Sequence, residues 1–166
     1  MTVTHVHKDP EARTMTIAAR FDAPIGRVWQ LWADPRQLER WWGPPTYPAT
    51  VVDHDLTPGG RVSYYMTGPE GDQHHGWWRV LVVDGPRRLE LEDGFADDVG
   101  EPDPDLPTTV TRVILHDEPD GGTHMDIESV FPSLGAMEEM LAMGVEEGMV
   151  AAMGQIDGIL AEGPPH

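Results

Sequence analysis

Four of the six tryptophans in this 166-residue chain lie within 14 residues, at Trp29, Trp32, Trp41 and Trp42. Tryptophan side chains are large, and they usually anchor a core or line a pocket. Apolar residues around the first two recur every three or four positions, which predicts a short amphipathic helix over Pro24–Ala33. The segment therefore requires a fold that buries several indoles within a small volume.

A second helix follows at once. Asp34 is a good N-cap, Pro35 suits the first helical position, and Gln37 lies where a capping box places its partner. The helix is predicted to run to about Trp42, because Gly-Pro-Pro at 43–45 stops it. Two short helices in succession thus come early in the chain.

Composition limits the class of protein. At 166 residues the chain fits a single domain over 1–166, with a core of about 12–162. It has no cysteine and no apolar run of membrane-spanning length, and residues 1–8 lack the apolar stretch of a secretory signal, so we expect a cytoplasmic protein. The formal net charge of −18 repels phosphate backbones and anionic lipids. We therefore expect neither nucleic acid nor a membrane as partner.

Most of the remaining chain alternates between strand-like runs and turn signals rich in glycine and proline. The acidic, proline-containing segment 96–107 is predicted to be a mobile loop. The predicted strands are Thr14–Phe21, Pro48–Leu56, Arg61–Thr67, Gln73–Asp84, Arg88–Glu92, Thr108–His116 and Thr123–Phe131.

The chain closes with a helical pattern over Ser133–Ala161, whose apolar positions recur at three- and four-residue steps. Gly144 and Gly148 flank this apolar face, and we interpret them as points where the helix closely approaches the sheet or a ligand. Glu138 has two interpretations: it lies within the apolar face of an unbroken helix, or the first turn is kinked at Gly135 and it is exposed.

The order of elements predicts an α+β protein. One face of an antiparallel sheet must be buried, and only the closing helix is large enough to bury it. We expect a curved antiparallel sheet of six to seven strands wrapped round one long C-terminal helix, with two short helices after the first strand. A space between sheet and helix follows from this arrangement.

The chain resembles the helix-grip domains related to START and Bet v 1. Within them it is similar to the bacterial relatives of the C-terminal domain of the activator of Hsp90 ATPase. The resemblance is carried in order by Ala-Pro at 23–24 with Val-Trp at 28–29, Trp-Trp-Gly-Pro at 41–44, Pro-Gly-Gly-Arg at 58–61, Gly76, Pro-x-Arg-Leu at 86–89, Gly-Thr-x-Met at 122–125 and Met-Gly-Val-Glu-Glu-Gly-Met at 143–149. It implies the fold and a cavity but no single reaction.

The histidines do not suggest a metal site. His74 and His75 are adjacent in a predicted strand and point to opposite faces. His5 and His7 share a face, but they lie in a terminus that we expect to be frayed. No helical His pair is present either, so neither a metal nor a cofactor is predicted.

Ligand recognition depends on which strand faces point inward. If Trp77 and Arg79 do, an indole and a guanidinium line the cavity and suit an aromatic carboxylate. If they point outward, Trp78, Val80 and Val82 form the core set. One of Tyr64 and Tyr65 must also face inward. The candidate lining residues are Trp32, Trp41, Tyr65, Trp77, Arg79, Met125, Met137, Leu141, Val145 and Met149.

Three functions remain open. The leading hypothesis is a protein that binds a small hydrophobic or amphipathic molecule in this cavity, with a homodimer allowed. A second is a protein-interaction module that contacts an Hsp90-type chaperone. A third is an enzyme of the cyclase, hydrolase or isomerase kind, which would need a buried acid or base with a perturbed pKa. No nucleophile–base motif is visible, so no catalytic residue is assigned.

Overall fold

An eight-stranded antiparallel sheet forms one layer of the computed structural model, which describes residues 3–162. Its spatial order is β1-β2-β8-β7-β6-β5-β4-β3. The strands are β1 (Val3–Asp9), β2 (Thr14–Phe21), β3 (Ala49–His54), β4 (Arg61–Thr67), β5 (Gln73–Asp84), β6 (Arg88–Phe95), β7 (Thr109–Asp117) and β8 (Thr123–Val130).

The strand β1 is one more than the sequence predicts. It pairs with β2 along its length, so His5 and His7 lie in an ordered edge strand, and the expectation of a frayed terminus is wrong. Its residues alternate poorly between apolar and polar, and only Val3 and Val6 pack against the core. Hydrophobic periodicity gave no signal here because backbone pairing to β2, and not burial, defines this strand.

The two short helices form as predicted, with α1 at Ile25–Ala33 and α2 at Pro35–Trp41. The Asp34 side chain accepts a hydrogen bond from the backbone N–H of Arg36 at 2.9 Å. Gln37 also donates to the Asp34 carboxylate at 3.3 Å. The junction between the helices is thus fixed by the cap that the sequence indicated.

The C-terminal helix is not continuous, contrary to the sequence prediction. It consists of α3 (Leu134–Ala142), α4 (Val145–Met153) and α5 (Ile156–Ala161). Gly144 separates the first two with φ of 89°, a left-handed conformation that other residues adopt only at a cost. Glu138 is exposed on α3, as the second of its two interpretations predicts, while Gly135 lies inside α3 and the break comes at Gly144.

Replacing Gly144 should therefore destabilise the protein. We expect Gly144→Ala to lower the free energy of unfolding by about 1–2 kcal/mol, because the new Cβ disfavours the left-handed backbone. Gly158 is the matched control, since it lies inside α5 and a Cβ there would meet no other atom within 4 Å. Gly158→Ala should instead stabilise by about 0.5–1 kcal/mol. Thermal unfolding of both variants tests this, and stabilisation by Gly144→Ala would indicate a helix that runs straight through.

The core lies between the helices and one face of the sheet, which we call the inner face. It contains alternate residues of every central strand, such as Ile17, Val113 and Ile127. Within residues 3–162 no helix combines the length and apolarity needed to cross a bilayer.

Candidate ligand cavity

A cavity of about 240 Å³ lies between the inner face of β4–β6 and the helices α3 and α4. Its lining is mostly apolar and aromatic, with His74 exposed at one side. The volume exceeds the roughly 150 Å³ of an engineered apolar cavity that takes up benzene. The apolar side chains that line it are Trp42, Pro44, Tyr64, Met66, Phe95, Pro107, Met140, Val145, Met149 and Ala152.

One face of α4 forms the helical wall. Val145, Gly148, Met149 and Ala152 line the cavity at the one-, three- and four-residue steps of a single helix face. A Cβ built on Gly148 would meet no atom within 4 Å. Of the two sequence interpretations of Gly148, close approach to the sheet is therefore wrong, and close approach to a ligand stays a prediction, since this glycine leaves space open on the cavity wall.

Asp93 is the one carboxylate among the residues that line the cavity. It follows Leu89 and Leu91 on the inner face of β6, and it is only partly accessible to solvent. Thr111 on the neighbouring strand β7 donates a hydrogen bond to its carboxylate at 3.0 Å. Among the described residues, no lysine or arginine lines the cavity or forms an ion pair with Asp93.

Burial raises the pKa of the Asp93 carboxyl to about 7, and the nearby charge of Glu92 acts in the same direction. The hydrogen bond from Thr111 opposes this shift without cancelling it. Asp93 thus exchanges a proton close to neutral pH, in contrast to a solvated aspartate. It is an ionisable group inside an otherwise apolar space.

Tyr64 closes the floor of the cavity beside Asp93. Burial raises the pKa of its hydroxyl above the usual range, and the negative charge of Asp93 raises it further. The ring lies directly over Gly76, where a Cβ would come within 2.5 Å of it. Gly76 pairs with Tyr64 across β4 and β5, so this glycine makes room for the tyrosine to reach the inner face.

Next to this floor lies a tryptophan cluster of Trp32, Trp41, Trp42 and Trp78, of which Trp42 itself lines the cavity. Trp32 and Trp41 have ring centroids 4.8 Å apart, as have Trp42 and Trp78. Trp41 donates its indole N–H to the carbonyl of Leu31 at 2.9 Å. The indole N–H groups of Trp42 and Trp78 lie towards the Tyr64 hydroxyl without a hydrogen bond of ordinary geometry. The cluster makes a rigid base for the cavity.

The ten predicted lining residues divide into four groups. Val145 and Met149 line the cavity. Trp32, Trp41, Met125 and Met137 are almost fully buried in the core and do not line it. Leu141 is half-buried and packs against the core. The structure therefore brings only the α4 members of the predicted set, Val145 and Met149, to the cavity, while Trp32 and Trp41 lie in the core beside it.

The remaining three predicted residues face away from the cavity, which corrects their assignment. Trp77 and Arg79 lie on the outer face of β5, and Tyr65 lies on the outer face of β4. The Trp77 indole covers Gly94 and donates to the carbonyl of Phe95 at 3.1 Å, while Arg79 lies 3.6 Å from Glu92. The alternative core set of Trp78 and Val80 faces inward instead.

Val82, the third member of that alternative set, is 36% exposed. The pairing of β5 with β6 shifts register between Val80 and Val82. A shift of one residue exchanges the inner and outer faces of a strand, so Val83 packs against the core in its place. Sequence alternation alone could not locate this bulge.

The segment 96–107, predicted from the sequence to be a mobile loop, contains a turn that is held by hydrogen bonds. The Asp97 carboxylate accepts backbone N–H bonds from Val99 and Glu101 at 3.0 and 2.9 Å. Arg61 on β4 binds the carbonyl of Gly100. The loop thereby covers part of the outer face, where a depression of about 300 Å³ forms beside Tyr65, and it ends at the cavity with Pro107.

Asp93 and Tyr64 are the functional candidates that sequence reasoning missed or left undecided. The predicted strand ends at Glu92, three residues before the observed end of β6 at Phe95, so it leaves Asp93 out. Its signal was the alternation of Leu89 and Leu91, which places the next odd-numbered residue on the same inner face. An acid at an apolar position of a strand is a sign of a functional site.

Comparison with known proteins shows how widely this architecture is shared. A family model described as activator of Hsp90 ATPase homolog 1-like protein matches residues 22–161. The crystal structure of protein Ms6760 from Mycobacterium smegmatis is 48% identical over 99% of each chain, with a TM-score of 0.88. A solution structure from Arthrobacter aurescens is 50% identical over 97% of this chain and 93% of that one, with a TM-score of 0.92.

A third structure, from Staphylococcus epidermidis, is 27% identical over 98% of this chain and 97% of that one, with a TM-score of 0.83. Comparison with curated proteins finds no match. The fold described above is therefore common to bacterial proteins that match nearly the whole chain.

Proposed function

The chain belongs to the activator of Hsp90 ATPase homolog 1-like family, and from that premise we propose that it binds a small amphipathic molecule in the cavity between its sheet and C-terminal helices. One observation carries the proposal: an apolar cavity of about 240 Å³ contains a single carboxyl group, Asp93. Small-molecule sites combine an apolar lining with a few polar groups in this manner. The cavity is at the small end of their usual range, so the ligand is small.

A chaperone-contacting module is the alternative that the family description suggests. A filled interior and one large exposed apolar patch would favour it. In residues 3–162 the exposed large apolar side chains come from separate elements, including Val52 on β3, Val82 on β5 and Leu134 on α3. The unfilled interior supports ligand binding better.

Asp93 supports a second function, a proton-transfer reaction on the bound molecule. A carboxyl whose pKa is about 7 is suited to take up and release protons at neutral pH. Thr111 holds one of its oxygens in a fixed position at 3.0 Å. In this alternative the cavity is the same, but its occupant is converted and released.

The location of the protein and its partner class are part of the proposal. The charge of −18 supports a partner that is neither nucleic acid nor an anionic membrane. We place the protein in the cytoplasm, and we leave a homodimer as a prediction.

Native mass spectrometry of the protein purified from its own host tests the proposal. We expect a mass excess equal to one small molecule, which denaturation releases for identification. Incubation of the protein with the released molecule then separates binding from turnover, because an enzyme would change its mass. An empty protein that also takes up nothing from a host extract would contradict ligand binding and favour the interaction module.

A further inference from the structure

The charge of the cavity points to the chemistry of its ligand, an inference that rests on the proposed function. With Arg79 on the outer face, the only charged side chain that the described residues 3–162 place at the floor of the cavity is the carboxylate of Asp93. Its single hydrogen bond in the described structure comes from Thr111 at 3.0 Å. Because Thr111 is a neutral donor, the negative charge of an ionised Asp93 has no cationic partner.

Aromatic rings surround the same space. Trp42, Tyr64 and Phe95 all line the cavity, and Trp78 lies against Trp42 at 4.8 Å between ring centroids. The faces of aromatic rings attract cations, most strongly where water is excluded. A carboxylate among aromatic rings is a favourable environment for an ammonium group carried on an apolar body.

The remaining ionisable groups near the cavity do not supply a competing cation at its floor. Tyr64 is a neutral hydroxyl, and the contributions of α3 and α4 are Met140, Val145, Gly148, Met149 and Ala152. His74 and His75 lie at the side where His74 is exposed, and His74 already contacts Asp72 at 2.5 Å. Glu92 lies on the outer face, and its negative charge also disfavours anions.

We propose that the cavity selects a small aralkyl amine, bound as its ammonium ion with the nitrogen at Asp93 and the ring against α4 and the aromatic floor. An inward Arg79 would have favoured an aromatic carboxylate. The observed cavity should disfavour such a ligand, because its carboxylate would lie beside the negative charge of Asp93. The acidic surface of the protein, with net charge −18, also steers cations towards it.

Binding of the amine is coupled to a proton. A neutral Asp93 releases its proton to solvent when the ammonium ion arrives, and no covalent bond forms. Because the pKa of Asp93 is about 7, affinity for the amine should rise as the pH increases from 6 to 8. A neutral ligand of the same size should show no such rise.

Calorimetric titration with three probes of similar size tests the proposal: 2-phenylethylamine, 2-phenylethanol and 3-phenylpropionate. At pH 8 we expect the amine to bind about 10- to 100-fold more tightly than either other probe, the range expected for one charge-assisted hydrogen bond. Asp93→Asn should remove this preference for the amine over the alcohol and the carboxylate.

Asp53→Asn is the matched control. Asp53 also accepts a hydrogen bond from a hydroxyl, Ser63 at 2.7 Å, but it is exposed on the outer face of β3. This variant should keep the amine preference. Equal or tighter binding of the alcohol or the carboxylate would overturn the amine proposal while ligand binding itself stands. Binding of none of the three probes would also overturn it, and native mass spectrometry would then decide the proposed function separately.

Discussion

Trp32→Ala should lower the free energy of unfolding by about 3–5 kcal/mol, as expected for removal of a fully buried tryptophan. Trp32 has no accessible surface, and its ring contacts three other indoles at centroid distances of 4.8, 5.8 and 6.0 Å. The three neighbouring indoles are rigid rings that also pack against one another, so they are poorly able to collapse into the void. Unfolding in guanidinium chloride measures the loss.

Trp29→Ala on the same helix is the control for the tryptophan cluster. Trp29 is only partly buried, and it packs over Gly85 instead of the cluster. Trp29→Ala should therefore lower the free energy of unfolding clearly less than Trp32→Ala does. A different result would contradict the placement of Trp32 in the core: a loss of less than about 1 kcal/mol in the free energy of unfolding, together with altered ligand uptake. Trp32 would then line the cavity, as the sequence analysis predicts.

Asp93→Asn should make the protein more stable at pH 8 but not at pH 4. The folded state raises the pKa of this carboxyl from 3.8 to about 7, so the folded protein binds more protons than the unfolded chain between these values. The wild-type contribution of Asp93 to stability therefore falls as the pH rises from about 4 to 7, and it is constant outside that range. Asparagine carries no charge at any of these pH values. At pH 8 the free energy of unfolding of the variant should therefore exceed that of wild type by on the order of 2–4 kcal/mol.

Urea unfolding of both proteins at pH 4, 5, 6, 7 and 8 gives this difference directly. Asp53→Asn changes an exposed carboxylate, so its stability relative to wild type should not increase between pH 4 and pH 8. A stability difference between wild type and Asp93→Asn that stays constant from pH 4 to 8 would show that Asp93 is solvated as an ordinary aspartate. In that case its place on the cavity floor would be wrong.

Local signals in the sequence predicted most of the elements. Capping by Asp34, the glycine-proline stop after Trp42 and the two-residue alternation of the strands depend on neighbouring residues, which a sequence displays directly. Which face of β5 points inward was harder to predict, because Trp77 and Trp78 are equally apolar. Packing across the sheet decides it: Trp77 fits over Gly94 on the outer face, while Trp78 completes the tryptophan cluster.

The candidate site was less predictable than the fold for the same reason. Val145 and Met149 could be found from helical periodicity, but the importance of Asp93 arises from residues far along the chain, namely Tyr64, Thr111 and the face of α4. The burial of Asp93 among these distant residues is a property of the assembled fold.

Ligand binding in the cavity is tested most directly by a substitution on α4 that fills this space with a side chain. Gly148→Phe should place a ring in the open space above α4, where a Cβ meets no atom within 4 Å, and so exclude the ligand while the fold persists. Gly158→Phe adds the same side chain at an exposed position of α5. Native mass spectrometry should find the bound molecule on wild type and Gly158→Phe but not on Gly148→Phe. Undiminished retention by a folded Gly148→Phe variant would contradict ligand binding in this cavity.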